Sequence, residues 1–432
     1  MAIEYKKWLI LTSICVVNLI AGTMYLFGSY SPQMAAQLAY SASDVYNVAI
    51  CGQSAIVLFG PVVGKIIDRT GCGIVGMFSG LVISLGYFCF YEQYVNEYSN
   101  VILTCFLFIL IGMGSTSMLS VSMKCGLLTF PGNKGLATGL PNTFFGASGL
   151  FFSMIGLLFP GNTEKLLACL CGISAFISIL CYPVMLLVDT EEEVKYNPLR
   201  TGDLELELNL GNDNSNFIEP KMEIEEIPVY KRYDFWNLTI SLSFLAGITQ
   251  MYIYSIGMFV VALNGGSSFI MSHSSDYNRY LQKNQQTQVF FLSLASCIGR
   301  LFNSFFGDLV VKWKFQRVTI LFLSILLTFI GSIGGYFNNY YQNMKIFSII
   351  FGLGYGMLYS AMVQITGEIW GTKNFSFNWG LLNLSPVFTN FVLSSIIASD
   401  LDKNSHIIKV GEDLKEMHVC DMKSACYNNV NI

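Results

Sequence analysis

Gly64-Lys65-Ile66-Ile67-Asp68-Arg69-Thr70-Gly71 decides the fold, because it closes an apolar block with a charged turn bounded by glycines. Gly299-Arg300, followed by Gly307-Asp308 and Lys312, closes the second apolar block beyond a polar linker in the same way. Charged hairpins at matching places in two hydrophobic halves mark an internally duplicated membrane protein.

Around these hairpins the 432-residue chain is 53% hydrophobic and only 12% charged. A soluble domain carries about 25% charged residues, so too little polar surface remains here to face water on every side. The apolar residues gather into eleven blocks. A bilayer core about 30 Å thick takes about 20 apolar residues of helix to cross, and amides in lipid must bond within their own segment. Each block therefore reads as a transmembrane helix. The first is too long for a signal-peptide core and has no small-x-small cleavage site, so it reads as a span rather than a leader.

Lysine and arginine set the orientation. With Lys6 and Lys7 in the cytoplasm, sixteen basic residues lie on that side, against Lys165, Arg279, Lys283 and Lys345 in the opposite loops. Trp8, Trp236, Trp313, Trp370 and Trp379 fall at the cytoplasmic helix ends, where indoles favour the headgroup region.

Residues 1–188 read as a six-helix bundle and 189–233 as an acidic cytoplasmic linker, with twelve Asp/Glu against five Lys/Arg. Residues 234–398 read as a second bundle of five helices and 399–432 as a polar, non-cytoplasmic tail. Six spans before the linker set the expectation of six after it. The twelfth is missing before Ile432, and truncation is the favoured explanation. Ten of the twelve cysteines sit in or beside apolar spans as small buried residues. Cys420 and Cys426 lie in the tail, where a disulfide could survive.

Asp68 stands at a helix C-terminus, where the dipole favours a cation. Its place there suggests a partner in one conformational state, as in a cytoplasmic gate latch built from Gly64, Asp68, Arg69 and Gly71. Gly64-x-x-x-Asp68-Arg69-x-Gly71 is similar to the loop signature of the major facilitator superfamily, although Cys72-Gly73 replace the usual following basic residues.

Further motifs resemble the nodulin-like branch of that superfamily. They are Ala21-Gly22-Thr23-Met24-Tyr25-Leu26-Phe27-Gly28-Ser29-Tyr30-Ser31-Pro32, Phe130-Pro131-Gly132-Asn133-Lys134-Gly135, Phe144-Phe145-Gly146-Ala147-Ser148-Gly149 and Gly367-Glu368-Ile369-Trp370-Gly371-Thr372-Lys373. Fungal members are similar, some of them described as monocarboxylate-transporter-like. The resemblance implies an all-α integral membrane protein with a major facilitator-type two-bundle fold and alternating access. It also implies a vacuolar membrane first and a plasma membrane second. That branch carries a tail cysteine pair before its last helix, a place that Cys420 and Cys426 fit.

Arg300 precedes Asp308 by eight residues, about 12 Å of helix, and so lies inside the bundle. An arginine at that depth is costly unless paired or wetted. One reading is an anchor for a substrate carboxylate. The other is a gate network with Asp308 or Glu368. Monocarboxylate transporters are similar in using an arginine on this helix, but they place an aspartate one turn earlier, where this chain has Ser296. No carboxylate falls in the middle third of any span, so ion coupling leaves no mark. The midplane candidates for solute contact are neutral: Asn18, Thr23, Tyr25, Asn142, Gln250, Tyr254, Tyr355, Tyr359 and Asn383. Pro141 and Pro386 mark two places where a broken or kinked span would line a cavity.

His273, His406 and His418 are the only histidines, and no nucleophile–base spacing or phosphate-cradling loop occurs. No enzyme activity, cofactor, metal or nucleic acid is therefore expected. The expected partners are the bilayer and a small organic solute, carried by a monomer. A non-transporting sensor or scaffold, or an inactive truncated carrier, is the alternative.

Overall fold

The structure is a computed structural model that describes residues 2–130, 134–196, 229–264, 277–313, 319–370, 375–410, 415–420 and 426. The first span is α1 (Ala2–Ala21), a 3-10 segment (Thr23–Ser29) and α2 (Ser31–Leu38). The second is α3 (Ala42–Leu58) and α4 (Gly60–Thr70), bent by 40° at Phe59. Next come α5 (Cys72–Val95), α6 (Val101–Thr129), α7 (Lys134–Leu158) and α8 (Thr163–Tyr196). The second half holds α9 (Tyr233–Leu263), α10 (Tyr277–Lys312), α11 (Thr319–Tyr336) and α12 (Met344–Ile369). Its last span is α13 (Phe375–Asn383) with α14 (Ser385–Asn404), followed by strands β1 (His406–Val410) and β2 (Lys415–Val419).

Nine helices among the described residues are long and apolar enough to cross a bilayer, and the bent α3–α4 pair makes a tenth span. The eleventh, α10, is too polar for that test because Gln282, Gln285, Gln286, Gln288 and Arg300 are all buried along it. Those side chains face protein rather than lipid, which is what makes so polar a span tenable. Outward-facing Ile102, Phe322, Phe329 and Phe388 form the apolar surface that lipid covers.

Local chemistry fixes the helix ends. Ser41 and Asp44 form a reciprocal capping box on α3, and Asn100 caps α6 by accepting from the Leu103 amide at 3.0 Å. Gly71 ends α4 with φ of +86°, a conformation that favours glycine. Pro61 and Pro386 stand in the first turns of α4 and α14, just after the breaks in their spans.

The structure departs from the sequence reading in four places. Pro141 lies inside an unbroken α7, whereas the first span, which has no proline at its break, changes to 3-10 geometry at Thr23. The linker boundary at 189 falls within α8, which runs through Glu191-Glu192-Glu193 to Tyr196 because glutamate supports helix. Trp370 and Trp379 are buried rather than at the headgroups, and Trp370 meets Phe235 edge-on at 5.1 Å. The tail boundary at 399 falls within α14, which runs to Asn404. Beyond it β1 and β2 pair antiparallel, and the candidate pair Cys420 and Cys426 does form a disulfide, with Cα atoms 6.0 Å apart.

Within the first half, α5 packs on α8 and α3 on α6; within the second, α10 and α11 pack on α12, and α9 on α14. The halves meet where α7 lies on α10, α4 on α13, α3 on α14 and the 3-10 segment on α9. Small residues allow the closest of these approaches. Gly139, Gly149 and Gly156 of α7 sit against Ser304, Ser293 and Gln286 of α10. At the end of the seam nearest α2, the Gln33 amide donates to Gln285 Oε1 at 2.8 Å. At the opposite end, Leu119 and Met123 of α6 join a cluster with Phe235, Leu358, Trp370 and Trp379. The halves thus touch at both ends of the seam, leaving a small cavity between them.

Candidate functional site

That cavity measures about 50 Å³ and draws its walls from both halves. A water needs roughly 10–15 Å³ of such space, so the chamber has room for only a few waters. From the first half come Gly22, Met24 and Tyr25 at the 3-10 break, Gln53, Ile56 and Val57 of α3, Thr116, Leu119 and Ser120 of α6, and Asn142 and Phe145 of α7. From the second come Gln250 and Tyr254 of α9, Tyr355 and Tyr359 of α12, and Trp379 and Asn383 at the α13–α14 break. Breaks in the first, second and last spans all reach this wall, and there the spans give up regular helix.

Seven of the neutral residues singled out in the sequence line this one chamber: Tyr25, Asn142, Gln250, Tyr254, Tyr355, Tyr359 and Asn383. Asn18 does not. Its amide donates to the Pro141 carbonyl at 3.0 Å, tying α1 to α7. Thr23 is buried just outside the lining. Gln53, Thr116, Ser120 and Trp379 line the chamber without having been singled out. A glutamine in the apolar run around Gln53 was the one available signal, and Tyr254 donates its hydroxyl proton to Gln53 Oε1 across the halves.

Arg300 lies behind the chamber wall with 1% of its surface exposed. Nη1 donates to the Asn142 backbone carbonyl at 2.7 Å and also to Asn142 Oδ1. Nη2 donates to Tyr25 Oη at 3.2 Å, while Nε has no hydrogen-bond partner. The Phe145 and Tyr355 rings each stand 5.8 Å from the guanidinium carbon, within cation–π range. Among the described residues no carboxylate pairs with it. Gly146 permits this placement, since a Cβ there would stand 2.7 Å from Nε. The expected latch and gate network fall on the side chains of Asp68, Arg69, Asp308 and Glu368, which lie outside the described residues. The backbone of Gly64 is buried in α4, and Gly71 terminates that helix.

Arg300 fixes one hydrogen-bond direction, because a guanidinium can only donate. Tyr25 Oη accepts from Nη2 and shares a 2.8 Å hydrogen bond with Tyr355 Oη in which either hydroxyl can donate. The Gln250 amide donates to Tyr359 Oη. The Tyr355 and Tyr359 rings stand 4.5 Å apart, centroid to centroid, at the chamber. A buried positive charge behind a wall of hydroxyls suits a solute that brings negative charge and acceptor oxygens. Met24, Ile56, Val57, Leu119 and Trp379 supply an apolar wall in the same space.

The sequence pattern of the Major Facilitator Superfamily matches residues 12–393. An uncharacterized membrane protein of Saccharomyces cerevisiae is 26% identical, with 90% of this chain and 86% of that protein aligned. A probable transporter, MCH1, of Wickerhamomyces anomalus is 24% identical over 86% of this chain and 76% of its own length. Among solved structures, a mutant of the nucleoside transporter NupG superposes with a TM-score of 0.62 at 12% identity, covering 98% of this chain and 95% of that one. A bacterial homologue of the human lysosomal transporter Spinster gives a TM-score of 0.53 at 14% identity, over 93% and 84% of the two chains. At these identities the structural likeness speaks for the fold alone.

Proposed function

Because the chain belongs to the Major Facilitator Superfamily, we propose that this multi-pass membrane transporter carries a small organic anion, with monocarboxylates the leading class, by alternating access around the Arg300 chamber. One observation carries the reading: a buried arginine whose only described hydrogen-bond partners are neutral, set behind the Tyr355 and Tyr359 hydroxyls at the seam of two bundles. An arginine kept for structure would be expected to have a carboxylate, since an uncompensated cation at a helix centre costs at least about 2.5–3.5 kcal/mol. An arginine kept for a solute bears that cost in the empty state and recovers it on binding. The resemblance to fungal members of the nodulin-like branch favours the vacuolar membrane as its place.

The test is uptake of radiolabelled acetate, pyruvate, lactate and succinate, with neutral solutes alongside, into liposomes holding the purified protein. Arg300→Gln should lower uptake by about 10–150-fold, the worth of one charge-assisted hydrogen bond. Its thermal stability should stay level or rise, because a buried charge with no carboxylate partner among the described residues has been removed. Parent-like anion uptake by Arg300→Gln would overturn the reading. So would transport of neutral solutes only.

A further inference from the structure

Asn142 holds Arg300 in a way that packing alone does not require. Its backbone carbonyl and its side-chain Oδ1 both accept from the same nitrogen, Nη1. Asn142 also lines the chamber, while the guanidinium lies behind it. A solute in the chamber therefore meets Asn142 and Tyr25 before it meets the charge. Asn142 belongs to α7 in the first half and Arg300 to α10 in the second. Their contact is thus one of the ties across the seam.

We propose that the Asn142 side chain is an internal stand-in for the solute's oxyanion, and that exchanging it for the real anion loosens α7 from α10 by removing one of the bonds between them. This rests on the anion reading above. The backbone carbonyl is fixed by its helix, but the carboxamide can leave by rotating about its own side-chain bonds. An ionised acceptor makes a shorter and roughly twofold stronger bond to a guanidinium than a neutral one does. Exchange is therefore downhill for a carboxylate and gains nothing for a neutral solute. Each exchange replaces a bond between the halves with a bond to cargo, so binding itself loosens the seam. Selectivity and conformational release then share one residue.

A native reporter sits beside this tie. Cys297 of α10 places its Sγ 3.7 Å from the Thr143 carbonyl of α7, on the same seam. Its rate of modification by N-ethylmaleimide, followed by peptide mass spectrometry on the intact protein in liposomes, reads seam opening without a known substrate. Asn142→Ala should label about 10–150-fold faster than the parent, a shift corresponding to loss of one hydrogen bond to a charged group. Asn142→Asp, which installs a permanent anion on Arg300, should label more slowly than the parent. In uptake, Asn142→Asp should be at least tenfold worse than Asn142→Ala, whereas a role in packing alone would make the near-isosteric aspartate the milder change. Equal labelling in all three proteins, or better transport by Asn142→Asp than by Asn142→Ala, overturns the proposal. Such a result together with silent Arg300→Gln would leave the anion reading standing. Parent-like uptake by Arg300→Gln would remove that reading and the stand-in with it.

Discussion

Gly146→Ala is the sharpest steric probe of the arginine's placement. A Cβ at this position would lie 2.7 Å from Arg300 Nε, 3.1 Å from Cζ and 3.2 Å from Cδ. Ordinary contact begins at 3.4 Å and extends to 4 Å, so Nε must move by about 0.7–1.3 Å. A free arginine would yield easily, but this one is held by Asn142 and Tyr25 and flanked by the Phe145 and Tyr355 rings. The Nη2–Tyr25 bond is already 3.2 Å long, at the upper end of the usual range, and would be the first to break. Losing one charge-assisted hydrogen bond costs about 1.5–3 kcal/mol, or about 10–150-fold in affinity. Overpacking adds about 1–3 kcal/mol of destabilisation. The assay is the KM for carboxylate uptake in liposomes, read beside the unfolding temperature. Gly172→Ala is the control, because a Cβ there meets nothing within 4 Å. Parent-like KM and stability in Gly146→Ala would refute the reasoning, since the guanidinium could not then be where these contacts put it.

Two further outcomes follow from contacts away from the chamber. Asp402 of α14 accepts from the Ala42 amide at 2.9 Å, the Ser43 amide at 3.1 Å and the Ser43 hydroxyl, so a carboxylate of one half caps a helix of the other. Such a charge at a helix N-terminus is worth about 0.3–2 kcal/mol. Asp402→Ala should therefore favour opening on the non-cytoplasmic side by about 2–30-fold. The reporter is faster labelling of Gln285→Cys by a membrane-impermeant maleimide, and an unchanged rate would count against this clamp. The disulfide predicts a count: alkylation of the denatured, unreduced chain should tag ten cysteines, rising to twelve after reduction. Twelve tags without reduction would show the pair open.

Much of the architecture was legible because lipid leaves few options: long apolar runs must be helices. What escaped the sequence reading was irregularity inside spans. Pro141 looked like a break, yet α7 runs through it, whereas the span carrying Tyr25 changes geometry with no proline at the point of change. Propensity sees the residue, but neighbouring helices decide whether the backbone bends. Trp370 and Trp379 looked interfacial because their distance along the helix was visible and the face they occupy was not. Seven of the neutral residues named from sequence line one chamber, and a simple rule picked them out: polar side chains in apolar spans need somewhere polar to go. Asn18 obeys that rule too, but satisfies it on a neighbouring carbonyl rather than in the cavity. Gln53 was missed although the same rule applied to it. The link from Arg300 to Asn142 spans 158 positions and has no signature in local sequence.

The most direct test of the central claim is electrical. With the protein in a membrane on a solid support, small organic anions are applied as concentration jumps and the charge that enters on binding is recorded. The account predicts a transient of negative charge moving into the parent protein for at least one carboxylate, and none in Arg300→Gln. A transient that persists in Arg300→Gln, or one that only cations evoke, would contradict it.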